Sequence, residues 1–309
     1  MPWPADSTRG YSEERREILV RESTSGKIFS IIIHVVLIGI SLTCILPFLH
    51  LIALSVSSGH AVDLGRVWFW PVGLDFTVYR YFFENTPALR AFSNSVIITL
   101  GGTVLSMLAT VLTAYPLSRR YLYARKPITT AALFTMLFSG GMIPTYLVMN
   151  NLHLTNTYWS LWLGGLISTY NLLIMKSYFE SIPGEVVDSA QIDGCGEVQL
   201  LRRVILPLSL PLLATLTLFY GVGYWNMFMS VILYINKTSL QNLTVIVQGM
   251  LQIQGNFNVS AMDMMQQQEM VSEKLKAVGV MVMVVPMLAV YPFLQKYFVK
   301  GIMLGSIKG

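Results

Sequence analysis

One polar stretch of the chain gathers the residues best placed to do chemistry. It reads Glu185-Val-Val-Asp188-Ser189-Ala190-Gln-Ile-Asp193-Gly194 and runs on to Arg202-Arg203-Val204-Ile-Leu206-Pro207. Three carboxylates this close together offer charge-assisted hydrogen bonds to a basic or amide-lined cleft on another chain. Acidic residues near a helix N-terminus also favour that helix. Ser189, Ala190 and Gly194 are small enough to let a second backbone approach. Gly194 also permits a positive φ at a bend, where a side chain would be penalised. This is the chemistry of a grip rather than of bond-making. No His-Glu-x-x-His, Gly-x-Ser-x-Gly or Gly-x-x-x-x-Gly-Lys-Ser/Thr pattern occurs, and Gly26-Lys27 is followed by Ile28 and lacks the upstream glycine. No catalytic residue, no metal site and no P-loop for ATP is therefore expected.

The grip needs a rigid mount. Pro183 suits the first turn of a helix, where its missing N–H costs nothing. A helix is predicted over 184–192, stopped by Gly194. A second helix is predicted over 197–205, with Pro207 marking re-entry into an apolar run. The result is a helix–turn–helix hairpin with an acidic first half and a basic second half.

The rest of the chain is built for lipid. Of 309 residues, 54% are hydrophobic and only 12% charged, against about 25% charged in a soluble domain. Six apolar runs are near the roughly 20 residues that a membrane helix needs: 28–54, 92–117, 128–149, 158–176, 208–235 and 278–298. Asn171 interrupts the fourth. Backbone hydrogen bonding in hydrocarbon makes helices the natural choice, so the expected fold class is all-α, a polytopic bundle of six transmembrane helices. The polar N-terminal segment 1–27 and the long first run lack a cleavage site, so that run is expected to be retained as a span.

Placing both termini in the cytoplasm puts 15 of the 21 Lys and Arg in inside segments and 6 outside. That bias favours this orientation. The net charge of +5 is then orientation, not nucleic-acid binding. The segment 177–207 becomes cytoplasmic, and 55–91 and 236–277 become external. The first external segment carries Trp68-Phe69-Trp70-Pro71, suited to a membrane interface or an external partner; in the second, 261–276 reads as a short surface helix. Cys44 and Cys195 are expected to be small packing residues, and His34 a hydrogen-bonded packing residue. No Asp, Glu or Arg lies inside an apolar run, which argues against an ion-driven carrier.

A neutral sugar is held by aromatic faces and hydrogen-bonding groups. Tyr220, Tyr224, Trp225 and Asn226 in the fifth run, with Tyr170 and Asn171 in the fourth, are candidates to line a translocation path. Tyr220 and Tyr224 share a helix face. Packing within the bundle is the competing reading. Gly140-Gly141 with Pro144 suits a hinge or close packing equally.

The polar hairpin resembles the EAA loop of ABC importer permeases: Glu-Ala-Ala, three residues, Gly, nine residues, Ile, one residue, Leu-Pro. Here Asp188-Ser189-Ala190 stands at the triplet, Gly194 at the glycine, Val204 at the isoleucine and Leu206-Pro207 at the end, with every spacing kept. Asp for Glu, Ser for Ala and Val for Ile are the departures. With Asp193-Gly194, the sequence Val204-Ile-Leu-Pro-Leu-Ser-Leu-Pro211 and the ending Lys300-Gly-Ile-Met-Leu-Gly-Ser-Ile-Lys-Gly309, the likeness is to the carbohydrate-type (MalG-like) permeases, within them the LplC/YtcP-like group.

The resemblance implies a MetI-like permease fold in the bacterial cytoplasmic (inner) membrane. Its permease domain would span 28–298 and its cytoplasmic tail 299–309. It implies a second homologous permease, an ATPase homodimer or heterodimer holding the ATP and Mg, an extracytoplasmic solute-binding protein, and an oligosaccharide substrate such as an alginate or pectin fragment. Glu185, Asp188, Ser189, Ala190, Asp193 and Gly194 would couple to the ATPase, and Lys308 and Gly309 would contact it. A six-span secondary carrier or channel is the alternative.

Overall fold

The computed structural model describes residues 24–252 and 273–305, the last stretch of these from Phe293 as backbone only. Among them the chain is helical, with a single isolated bridge between Ser57 and Leu74. The helices are α1 (Thr24–Val56), α2 (Gly59–Asp63), α3 (Thr77–Asn85), α4 (Ala88–Ser118), α5 (Arg125–Leu137), α6 (Met142–Asn151), α7 (Tyr158–Gly164), α8 (Thr169–Ser181) and α9 (Gly184–Ile192). They continue with α10 (Glu197–Leu208, π-helical over Leu201–Ile205), α11 (Leu210–Trp225), α12 (Met229–Tyr234), α13 (Leu243–Gln252) and α14 (Glu273–Gly305).

The bundle is organised around α4, which packs on α11, α8, α7 and α13. Its buried stripe is Ala91, Asn94, Ile98, Gly102, Ser106, Thr110 and Ala114, spaced by three or four residues. Small residues at this spacing let aromatic neighbours approach the backbone. A Cβ on Gly102 would lie 2.6 Å from the Tyr224 ring, and one on Gly101 would lie 2.7 Å from Trp162 Cζ2. Three apolar clusters follow the bundle. One gathers Tyr115, Met175, Phe179, Leu200 and Ile205, a second Ile98, Leu161, Tyr220 and Tyr224, and a third Phe82, Leu243, Val247 and Leu275.

Two of the expected spans are single long helices: α1 over Gly26–Val56 and α4 over Ala88–Ser118. The third, fourth and fifth need correction. The third run turns by 114° between α5 and α6, across Phe138–Gly141, where Gly141 takes φ +90. The fourth breaks between α7 and α8 at Gly165. The fifth starts after an 83° turn at Ser209, then breaks again after Trp225. Among the described residues two helices, or up to four if each bent pair counts as one, are long and apolar enough to cross a membrane. The predicted hinge at Gly140-Gly141 is thus a sharp corner. The run 278–298 lies inside α14, which carries Pro286 and Pro292.

Several local expectations also shift. Cys44 is exposed on α1, so packing within this chain does not account for it, and Cys195 is half-buried. His34 is exposed on α1, with Nδ1 2.7 Å from the Ser30 carbonyl. The segment 253–272, and with it most of the predicted surface helix, lies outside the described residues. From Glu273 onward that stretch belongs to α14.

Candidate functional site: a polar hairpin and an aromatic groove

The hairpin forms as its residues dictate. Pro183 is the residue before α9, at φ −54 and ψ 134, and Gly184–Ile192 is the helix. Asp193 caps the end. The Gly194 N–H donates to the Gln191 carbonyl and the Cys195 N–H to the Ala190 carbonyl, each at 3.0 Å. With Gly194 at φ +82, this is a Schellman ending, which needs glycine at the left-handed position. After it, α10 widens into a π turn over Leu201–Ile205. Pro207 has no N–H to give the Arg203 carbonyl, which favours such a widening. Ser209 then closes on Ile205 through both its N–H, at 3.0 Å, and its hydroxyl, at 2.7 Å, at the corner into α11.

The two faces of α9 differ. Val187 and Ala190 pack on the cluster of Leu200, Ile205 and Phe179. Glu185, Asp188, Ser189 and Asp193 are exposed. Ile192 is 86% exposed and Val198, across the turn, 80%. Ser189 spends its hydroxyl on the Glu185 carbonyl at 2.7 Å. Among the described residues, Glu185, Asp188 and Asp193 form no ion pair. The structure therefore separates the six predicted coupling residues. Five face outward, and Ala190 is part of the mount.

A tie that sequence reasoning missed fixes the hairpin to α4. Tyr115 donates its hydroxyl hydrogen to Glu197 Oε2 at 2.5 Å, and the Arg119 guanidinium lies 4.5 Å over the Tyr115 ring. No local pattern joins positions 115 and 197; only packing does.

The aromatic candidates divide as well. Tyr220 shares a 2.7 Å hydrogen bond with Thr110 and accepts from the Ser168 N–H at 3.0 Å. Tyr224 shares one of 2.9 Å with Ser106. Trp225 donates Nε1–H to the Met283 carbonyl of α14 at 3.0 Å, and Asn226 donates to the Val222 carbonyl of its own helix at 3.0 Å. Tyr220, Tyr224 and Trp225 are buried, as the packing reading expects. A groove of about 760 Å³ nevertheless brings together Tyr170, Asn171, Tyr220 and Tyr224, with Ser168 and Gly223. No charged residue lines it. Trp225 and Asn226 lie outside it.

At the opposite end, Lys274 falls in the stretch expected to form a surface helix, yet its side chain is only 1% exposed. It donates to Asp75 Oδ2 at 2.7 Å and to the Asp75 carbonyl at 3.0 Å. This hydrogen bond, helped by those from Thr77, holds the Asp75 carboxyl well below the usual carboxylate range. It locks the start of α14 to the start of α3.

Residues 102–304 match the family described as "Binding-protein-dependent transport system inner membrane component". The chain belongs to this family. The polygalacturonan/rhamnogalacturonan transport system permease protein YtcP of Bacillus subtilis (strain 168) is 38% identical over 283 residues, covering 92% of this chain and 99% of that protein. Protein LplC of the same organism is 38% identical over 290 residues, covering 94% and 98%. A crystal structure of a bacterial ABC transporter involved in the import of the acidic polysaccharide alginate contains a chain that superposes with a TM-score of 0.80 at 30% identity, covering 89% of this chain and 98% of that one.

The all-α permease fold and the resemblance carried by the hairpin therefore hold. The chain is a permease subunit of a binding-protein-dependent ABC importer, a multi-pass inner-membrane component and not an enzyme. Such an importer works with a partner permease, an ATPase and a solute-binding protein. The secondary-carrier alternative falls.

Proposed function

We propose that this permease carries an oligosaccharide derived from an acidic polysaccharide, and that its hairpin α9–α10 is the handle by which a separate ATPase drives it. The observation that carries the coupling role is the outward face of α9: unpaired carboxylates and exposed Ile192 and Val198 on a hairpin whose other face is locked into the bundle. Apolar side chains this exposed gain by burial, and the carboxylates beside them offer charge-assisted hydrogen bonds to a basic cleft. Glu185, Asp188, Ser189, Asp193 and Gly194 would meet the ATPase, and Ala190 would hold the helix that presents them. ATP and Mg would sit on the ATPase homodimer or heterodimer. Its closure would draw the hairpins of the two permeases together and open their shared cavity outward; hydrolysis would reset it.

Six membrane crossings within 28–298, with both termini cytoplasmic, suit the basic-residue bias. In this reading 177–207 is the coupling segment, 55–91 and 236–277 are external, and 299–309 is a tail whose Lys308 and Gly309 contact the ATPase; those two residues lie outside the described ones. The substrate path would run along the groove of Tyr170, Asn171, Tyr220 and Tyr224, whose uncharged lining suits hydroxyls and sugar ring faces. The polygalacturonan/rhamnogalacturonan permease and the alginate importer among the relatives support the acidic-saccharide class.

The test is reconstitution with the partner permease, ATPase and binding protein, measuring ATP hydrolysis against a panel of saccharides. Stimulation by galacturonan, rhamnogalacturonan or alginate fragments, and not by maltose or raffinose, is the expected result. Equal stimulation by neutral sugars would remove the substrate reading, and no stimulation by any saccharide would remove the transport reading.

A further inference from the structure

A second concave site lies at the inner end of the bundle, where α4 hands over to α5. It is a pocket of about 680 Å³ lined by Arg120, Arg125, Lys126 and Lys176, with Tyr121, Tyr123 and two threonines. No carboxylate among the described residues lines it. Glu180, just outside, accepts from Arg125 and, at 2.8 Å, from Lys176. That single carboxylate orients two of the cations, and Lys176 is held with only 12% of its side chain exposed. Arg120 and Lys126 have no ion-pair partner among the described residues. Four cations around one cavity, set against a single carboxylate beside it, repel one another unless an anion joins them.

The surroundings tell which anion. The pocket sits between the end of one apolar run at Leu117 and the start of the next at Ile128, the level of a bilayer's polar boundary. Tyr121 and Tyr123, 68% and 102% exposed, flank it in the manner of interfacial aromatics. One face of α5 begins in the pocket with Lys126 and Thr130 and continues, at spacings of four, three and four residues, through Leu133 and Leu137, both exposed. A polar anion seat thus runs directly into an apolar track along the same helix face. A free phosphate uses only the first; a phospholipid uses both. Basic pockets on the cytoplasmic side of membrane bundles hold anionic headgroups for this reason.

We propose that this pocket binds the phosphate headgroup of an anionic phospholipid of the inner leaflet, with an acyl chain along the Lys126–Leu137 face of α5. The proposal rests on the orientation argued above. Arg120 and Lys126 supply the uncompensated charge, and Arg125 and Lys176, braced by Glu180, supply the fixed donors. Because α5 and α8 meet here and α8 leads straight into the coupling hairpin, the lipid would brace the base of that hairpin.

The test uses the assembled importer, purified with its ATPase and partner permease, delipidated, and offered phosphatidylglycerol or phosphatidylcholine. Native mass spectrometry reads the lipid retained, and binding-protein-stimulated ATP hydrolysis is measured on the same sample. Wild type should retain phosphatidylglycerol in preference to phosphatidylcholine. The double variant R120Q/K126Q should retain it about thirtyfold more weakly, each basic side chain near an anionic surface contributing a factor of about five. R120K/K126R should restore retention, which separates lost charge from lost fold. Equal retention by R120Q/K126Q, equal preference for phosphatidylcholine, or displacement by millimolar inorganic phosphate would each overturn the lipid site. Loss of the ATPase from R120Q/K126Q with lipid retention intact would overturn it too, assigning the pocket to the ATPase. If wild type keeps the lipid yet shows no stimulated hydrolysis in any lipid, the transport reading fails while the site stands.

Discussion

Glu185 and Asp188 stand exposed on α9 without a cation within ion-pair distance, whereas the hydroxyls of Tyr220 and Tyr224 on α11 each find a partner on α4. Both pairs are polar groups that sequence singles out, and both sit at helical spacing. What separates them is whether this chain alone can satisfy them. The tyrosines are fastened into the bundle, and at most an edge remains for a passing solute. The carboxylates are presented on a braced helix and left open to water or to another chain. An unsatisfied outward group points to an interface, and a satisfied inward one to architecture.

The strongest challenge to that contrast lies in the bundle. Tyr224 fills the space that Gly102 vacates, its ring against the α4 backbone. Tyr224→Ala should destabilise the permease by about 3–5 kcal/mol, the usual cost of emptying a large aromatic site, seen as a fall in Tm of the detergent-solubilised complex. Tyr224→Phe keeps the ring and removes the hydroxyl's bonds to Ser106 and, at 3.4 Å, to the Trp162 carbonyl; it should cost about 1 kcal/mol, with uptake retained. Were Tyr224→Phe to keep full stability and lose uptake, the hydroxyl would belong to the substrate path, and the contrast would break.

On the hairpin the same logic runs in reverse. Asp188→Lys replaces an exposed, unpaired charge, so Tm should move by no more than about 0.5 kcal/mol equivalent. Stimulated ATP hydrolysis and uptake should fall at least about tenfold, the cost of one lost charge-assisted contact. A stable, fully active Asp188→Lys importer would show that α9 is not gripped through its acidic face.

The outer lock sharpens the comparison, because it joins an acid to a cation inside one chain. Asp75 titrates below its unfolded value, so its contribution is fully present above about pH 5. It is lost as pH falls through the ordinary carboxylate range near 3.9 and on through the lower folded value. The Tm of wild type should therefore drop more steeply below about pH 4 than that of Asp75→Asn. At neutral pH Asp75→Asn should be the less stable of the two, because Lys274 keeps its buried charge without a counter-charge. Parallel pH profiles would mean that the pair carries no net weight.

Local chemistry was legible in the sequence and direction was not. The first hairpin helix could be drawn to the residue and the second to within three, because a proline start, a glycine stop and a Leu-Pro exit each act within a few positions. Apolar runs were legible as runs, but apolarity says nothing about where a helix turns. The corners at Gly141 and Gly165 follow from glycines that also suit close packing. The ties of Tyr115 to Glu197 and of Asp75 to Lys274 span 82 and 199 residues. Such pairs come into view only when the bundle brings them together. The aromatic candidates failed to separate for the same reason: Tyr220 and Trp225 look alike in the sequence, and only their neighbours differ.

The finest test of the contrast lies within α4 itself. Thr110 and Thr103 are both buried, two turns apart on the same helix. The hydroxyl of Thr110 is bonded to Tyr220 at 2.7 Å, while that of Thr103 has no partner among the described residues and faces an apolar crevice with Trp225 and Pro286. Valine is close to isosteric with threonine and lacks the hydroxyl. Thr110→Val should cost about 1 kcal/mol, because it strands one side of a made hydrogen bond. Thr103→Val removes a hydroxyl that is desolvated for no return, and should be neutral or stabilise by up to about 1 kcal/mol. If Thr103→Val destabilises as Thr110→Val does, the Thr103 hydroxyl has a partner in the assembled importer, from the second permease or a lipid, and joins Asp188 among the groups that this chain leaves for others to satisfy.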